Sequence, residues 1–218
     1  MWVRGMKALV TGFDAFDRNT VNPSWLAVRR LKRRIGRLLI YPVELPSSFA
    51  RSQSVLQGAI HEVQPDIVLG VGQAGGRPEL CLERVAVNVQ DARIRDNDGE
   101  QPIDCPVVRN GPAAYFSTLP IKACVAEIRR AGLPAAISNS AGTFVCNHVF
   151  YAAMDLAEEY EVSFRGGFLH VPYLPEQAAR VPGAPSMSLE DIVRGIEIVL
   201  AVSATRRTDI RTIEGRIS

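Results

Sequence analysis

Long apolar runs, clustered cysteines and a surplus of either charge are all missing from this 218-residue chain. No stretch approaches the ~20 consecutive apolar residues of a membrane-crossing helix, so such a span is not expected. Met1 to Met6 and the short run Ala8-Leu9-Val10 offer no apolar segment for a signal peptide. With 25 Lys+Arg against 23 Asp+Glu, the charge balance gives no reason to expect nucleic acid or an anionic membrane as a partner. Cys81, Cys105, Cys124 and Cys146 lack C-x-x-C or other zinc-like spacing, and a reduced cytoplasm is the expected setting. Internal repeats, low-complexity tracts and linkers are absent as well. The length suits one α/β domain spanning 1–218.

The one local charge excess, Arg29-Arg30-Leu31-Lys32-Arg33-Arg34, suits the solvated face and last turn of a helix. That helix should open at Asn22-Pro23-Ser24, an N-cap with proline in the first turn, and run to about Arg33. Apolar runs at Lys7–Phe13, Arg37–Leu45, Asp66–Gly72, Leu80–Val89, Ala135–Ser138 and Phe168–Val171 read as strands. Pro42 marks an irregular or edge position in the second of them. Helices are expected from about Ser48 to Val63, from Pro120 to Arg130, over Val149–Tyr160, and from the capping sequence Ser188-Leu189-Glu190-Asp191 to about Val202. The polar, Pro- and Gly-rich stretch 90–110 reads as an ordered excursion or hairpin. This alternation predicts an α/β fold: a three-layer α/β/α sandwich around a twisted, mostly parallel central sheet. Sites in such sheets gather at the carboxyl ends of strands, and Phe13, Gln73, Cys146 and His170 all lie at, or soon after, the end of a predicted strand.

The most informative segment is Gly142-Thr143-Phe144-Val145-Cys146-Asn147-His148. It sets a cysteine where a small, polar turn gives way to a helix. Unpaired N–H groups and the positive end of the helix dipole favour the thiolate there, the form that attacks carbonyl carbon. Cys81, Cys105 and Cys124 carry no such context and read as small apolar residues. Of the three histidines, His148 is only two residues past the cysteine and would point well away from it on a helical turn. His61 sits late in an amphipathic helix. His170, on its own strand, is the candidate base. An imidazole in that role needs an orienting partner. Glu83, a charge inside the apolar run Leu82 to Asn88, and Glu176, six residues past His170, both qualify on pattern, while Arg84 offers Glu83 an ordinary ion pair. The glycines of Gly70 to Gly76 match G-x-G-x-x-G once. No helix follows them, so they suit close approach of backbone to a small ligand better than a dinucleotide.

Taken together, several segments resemble the type I pyroglutamyl peptidases (pyrrolidone-carboxylate peptidases), cytosolic cysteine exopeptidases. They are Val71-Gly72-Gln73-Ala74-Gly75-Gly76-Arg77, Glu83-Arg84-Val85-Ala86-Val87-Asn88, Asp91-Ala92-Arg93-Ile94, Ala141 to His148, Gly166 to Tyr173 and Pro175-Glu176-Gln177. The resemblance implies Cys146 as nucleophile, His170 as base and Glu83 as orienting carboxylate. It implies Phe13 and Phe16 flanking a lactam ring, Gln73 on the ring amide, Phe144 in the pocket, and Asn22 and Arg93 near the site. It further implies peptides with N-terminal pyroglutamate as substrates, no cofactor or metal, and a homotetramer in the cytoplasm. Ala15 and Leu82 stand where the family often has proline, a departure that bears on loop rigidity. A glutaminase-type amidohydrolase is the rival enzyme reading, but the G-x-C-x-G elbow and His-x-Glu pair of those enzymes are absent. A pyroglutamyl-peptide binding protein without turnover is the rival outside enzymes, and would be expected to have lost one of the three reacting residues.

Overall fold

Alternation along the strands fills two separate cores, one on each face of the sheet. The computed structural model describes residues 5–17, 19–159 and 164–215. Its strands are β1 (Met6–Phe13), β2 (Arg34–Ile35), β3 (Leu38–Leu45), β4 (Ile67–Gln73), β5 (Leu80–Glu83), β6 (Val85–Val87), β7 (Ala114–Phe116), β8 (Ala135–Ser138) and β9 (Arg165–Val171). The helices are α1 (Pro23–Val28), α2 (Phe49–Val63), α3 (Ile121–Arg130), α4 (Val145–Glu159), α5 (Pro175–Ala178) and α6 (Leu189–Thr205). Tyr160, expected to end the fourth helix, lies outside the described residues. Seven strands form one sheet in the order β2-β3-β1-β4-β9-β5-β8, and β6 pairs with β7 apart from it.

On one face, Val10, Leu69, Leu82, Ile137 and Leu169 pack under α1, α3 and α6. On the other, Leu9, Phe13, Val68 and Phe168 pack under α2 and α4. These are the three layers that the alternation of elements predicts. The sheet is mostly parallel through β3, β1, β4 and β9, but β5 runs antiparallel to β9, and β8 follows β5. Cys81 lies opposite His170, and Glu83 lies opposite Phe168.

Caps set most of the boundaries. The Asn22 side chain accepts from Ser24 N–H, and that of Ser48 from Arg51 N–H. α1 stops at Val28, five residues short of expectation. Tight bonds from Arg30 N–H to Ala27 O and from Leu31 N–H to Val28 O turn Leu31 into the core, leaving the basic cluster solvated. The run Leu80–Val89 is two strands rather than one. It breaks at Arg84, whose N–H donates to Ser138 O, and β6 then leaves the main sheet for β7. Residues 90–110 are an ordered excursion, as expected, joined across by Gln90 and Cys105. Residues 206–215 lie along the chain's own surface. The Asp209 carboxylate accepts from Lys122 and Ala123 N–H at the start of α3, and Glu214 binds Arg129.

Gly70 and Gly72 of β4 sit beneath a side-chain layer. A Cβ at Gly70 would lie 2.4 Å from the buried Phe168 ring. A Gly70→Ala substitution should therefore overpack the core and cost about 1–3 kcal/mol, read as a lower urea midpoint with an unchanged m-value. An unchanged midpoint would show that the ring has room to move aside.

Candidate active site

The antiparallel register of β5 on β9 brings Glu83 and His170 together. Both side chains lie on the α2/α4 face of the sheet, one strand apart and offset by two residues, a diagonal that long side chains can bridge. His170 Nδ1 and Glu83 Oε1 are 2.7 Å apart, with Glu83 fully buried and His170 nearly so. Nδ1 donates to the carboxylate, so Nε2 is the nitrogen free for another partner. Burial alone would lower the basicity of His170. The hydrogen bonds and charges of Cys146 and Glu83 outweigh it, raising the pKa to about 9. Of the two carboxylates that suit this imidazole on pattern, Glu83 is the one that touches it. Glu176 is exposed on α5, and Arg84 turns away to Asn139 and the Glu214 carbonyl.

Cys146 arrives from the helix side. It is the second residue of α4, where N–H groups have no carbonyl one turn earlier within the helix. Asn147 anchors this turn by accepting from Val87 N–H and donating to Val87 O and Val89 O. The Thr143 hydroxyl donates to Asp91 O. Cys146 follows the end of β8, as the pattern suggests, although β8 runs opposite to β9. Loop 139–144 carries the chain to the helix start. The sulfur rests on β4, since a Cβ at Gly72 would lie 2.7 Å from Cys146 Sγ and 2.9 Å from Phe168. Gly70 and Gly72 thus admit a ring and a thiol, while Gly75 of the same segment lines the cavity.

Cys146, His170, Gln73, Arg93, Phe16 and Phe144 all line one cavity of about 590 Å³. The rings of Phe16 and Phe144 face each other at 6.3 Å. Two expected pocket residues are elsewhere. Phe13 is buried against Phe168, with ring centroids 6.4 Å apart, and does not line the cavity. Asn22 spends its amide on structure, donating to Asp14 O and accepting from both Ser24 N–H and the Ser24 hydroxyl. The Phe16 loop is held from outside, because Asn97 donates to Ala15 O and to Asp14 Oδ1. Leu82 is fully buried in the core.

Three residues here escape sequence reasoning. Arg77 donates to Glu83 Oε1 at 2.8 Å, the oxygen that His170 also uses. Asn19 and Tyr173 complete the cavity wall. Arg77 is a lone base in the glycine-rich segment after β4, the only signal that could have drawn notice. Among the described residues no group of three or more His, Cys, Asp or Glu is arranged to hold a metal, and no helix is long and apolar enough to cross a membrane.

His148 takes no part in this arrangement. It is buried edge-on against Phe49 of α2, and neither ring nitrogen has a hydrogen-bond partner among the described residues. Burial lowers its pKa to about 4, against a weak opposing influence from the Phe49 backbone. A depressed value favours the neutral ring in the folded state. The associated stability is therefore complete above pH ~6.5 and lost as pH falls toward 4. That loss should be on the order of 3 kcal/mol over the interval and absent from a His148→Leu variant in paired denaturant titrations. Parallel pH profiles for the two proteins would remove His148 as its source.

Known proteins share this architecture. The sequence model of the family described as Pyroglutamyl peptidase matches residues 6–206. A pyrrolidone-carboxylate peptidase of Bacillus cereus is 49% identical over 208 residues, covering 95% of this chain and 97% of that one. Pyrrolidone-carboxylate peptidase 1 of Ralstonia nicotianae is 53% identical over 210 residues, covering 96% and 98%. The crystal structure of pyroglutamyl peptidase I from Bacillus amyloliquefaciens superposes with a TM-score of 0.93 at 47% identity, covering 96% of this chain and all of that one. With the match running through β1, the Cys146 helix and α6, the chain belongs to the pyroglutamyl peptidase family.

Proposed function

We propose that this protein is a cysteine exopeptidase that removes an N-terminal pyroglutamyl residue from peptides, with Cys146, His170 and Glu83 as its reacting residues. The observation that carries the reading is the buried 2.7 Å contact of Glu83 with His170, which shares the lining of an aromatic cavity with Cys146 and whose basicity that thiol helps to raise. Family membership argues against the glutaminase alternative. The presence of all three reacting residues argues against a binder without turnover.

The Cys146 thiolate attacks the carbonyl carbon joining pyroglutamate to the next residue. The developing oxyanion falls to the Cys146 backbone N–H, with Arg93 at the cavity wall as a second donor. A donor of this kind typically contributes about 10²–10³ in kcat. His170, held protonated and oriented by Glu83, gives its proton to the leaving amine. Water then hydrolyses the thioester and frees pyroglutamate. The substrate fits the lining: a small, uncharged, nearly flat lactam with one N–H and one ring carbonyl suits a slot of Phe faces and a few fixed polar groups. An N-terminal proline lacks the carbonyl and carries an ammonium. Leaving a buried donor unpaired would cost about 1–3 kcal/mol, and stripping water from the ammonium costs more. Four free cysteines favour a reducing cytoplasm as the setting. The homotetramer implied by the resemblance is the proposed assembly.

A chromogenic pyroglutamyl amide should be turned over while its prolyl and alanyl counterparts are not. Cys146→Ala should abolish turnover with circular dichroism unchanged, and substantial residual kcat would refute the nucleophile. Because the mechanism needs His170 protonated, kcat/KM should fall as pH rises through about 9. Glu83→Gln removes a charge that raises this pKa, so its alkaline limb should move to lower pH. A limb fixed at the wild-type position would dismiss the role given to Glu83.

A further inference from the structure

The lactam ring offers two different hydrogen-bonding edges, an N–H donor and a C=O acceptor. A glutamine side chain can serve either, depending on which end of its amide faces the ring. Gln73, the last residue of β4, lines the cavity beside Cys146 and His170. Its orientation is decided by a chain of contacts that begins at a backbone group.

Leu174 N–H can only donate. It meets a side-chain atom of Gln177 at 3.0 Å, so that atom must be the amide oxygen. The other end of Gln177 is then its NH₂ group, which lies 2.9 Å from the side chain of Gln73. The Gln73 atom receiving that bond must be its oxygen, which leaves the Gln73 NH₂ directed at the cavity with no partner among the described residues. A second chain agrees. Asn19 donates through its NH₂ to the carbonyls of Phe16 and Asp17, so its oxygen faces Gln177, which donates to it at 3.3 Å. Gln177 also reaches Val21 O at 3.4 Å and is itself buried, with 7% exposure. One buried side chain of α5 thereby ties together the end of β4, the loop carrying Phe16 and the loop after β9.

We propose that Gln177 is a positioning residue for substrate selection: it locks the amide of Gln73 with the NH₂ group facing the slot, ready to donate to the ring carbonyl of pyroglutamate. This rests on the pyroglutamyl reading above and assigns the ring edge that Gln73 addresses. A locked donor rewards the 5-oxo group, whose exocyclic oxygen is the one heavy atom that pyroglutamate has and proline lacks. An unlocked amide would turn to suit either edge and discriminate less.

Replacing Gln177 with Glu puts two acceptor oxygens where one acceptor and one donor stood. One still takes Leu174 N–H. The other attracts the NH₂ of Gln73, turning the Gln73 oxygen toward the slot. For Gln177→Glu we expect KM for a pyroglutamyl amide to rise about 10- to 100-fold, kcat to change less than about threefold, and the inhibition constant of free 2-pyrrolidone to rise in step with KM. In a Gln73→Ala background the same substitution should raise KM several-fold less, because no amide remains to be turned and only the tie to the Phe16 loop is lost. Should the glutamate variant fail to fold, Gln177→Met keeps the chain length, removes all four hydrogen bonds of the amide and is expected to raise KM about tenfold. A KM unchanged in the folded variant, or a rise equally large with and without Gln73, overturns the proposal while leaving the enzyme reading intact. A wild-type protein inert to pyroglutamyl amides takes both down.

Discussion

The hydrogen bond from His170 to Glu83 joins a fully buried carboxylate to an imidazole that meets solvent only at the cavity wall, and much of the surrounding architecture serves to sustain that arrangement. A fully buried carboxylate is costly unless charges and donors meet it, and removing one partner of such a pair typically costs about 3–5 kcal/mol. Here Oε1 receives both His170 Nδ1 and Arg77, while Oε2 has no partner among the described residues. The half-exposed guanidinium of Arg77 links this interior charge to solvent. The pair exists because β5 turns against β9. That register places Glu83 beside Phe168 and aims its long side chain along the sheet at the neighbouring imidazole.

Sheet and helix layers then share the work of bringing sulfur to that imidazole. β4 lacks side chains at Gly70 and Gly72, so Phe168 and Cys146 can lie directly on its backbone. α4 is held over it by the three hydrogen bonds of Asn147, which fasten the first helical turn to the chain around Val87 and Val89. The 90–110 excursion contributes twice, through Asp91 to Thr143 and through Asn97 to the Phe16 loop. A segment with little regular structure thus ties down both aromatic walls of the cavity.

Layer order, most strand positions and the candidacy of Cys146 and His170 are legible in the sequence because each depends on local pattern: apolar runs, caps, and polar residues set among apolar ones; Glu83 is legible by pattern only as one of two candidates. Strand direction is not. Nothing in the run Leu80 to Glu83 distinguishes a strand parallel to β9 from one antiparallel to it, yet that choice decides which carboxylate meets the imidazole. The break at Arg84 is equally silent, since Val85-Ala86-Val87 is as good a strand as what precedes it. Phe13 and Asn22 show the opposite failure. Both carry family-like identity, but Phe13 is drawn under Phe168 and Asn22 is consumed by capping α1, leaving Asn19 to face the cavity. Gln177 bonds to Asn19 and Gln73, more than a hundred residues earlier in the chain, while Arg77 meets Glu83 only six residues on; no spacing rule announces either contact.

The backbone beneath the sulfur has a chemical corollary. With β4 as a floor under Cys146, one side of the sulfur is closed, and the cavity that Cys146 lines is an approach shared by a peptide carbonyl, an alkylating reagent and a peroxide. A reversible occupant of the aromatic slot therefore competes with all three for that approach, oxidants of the thiol included.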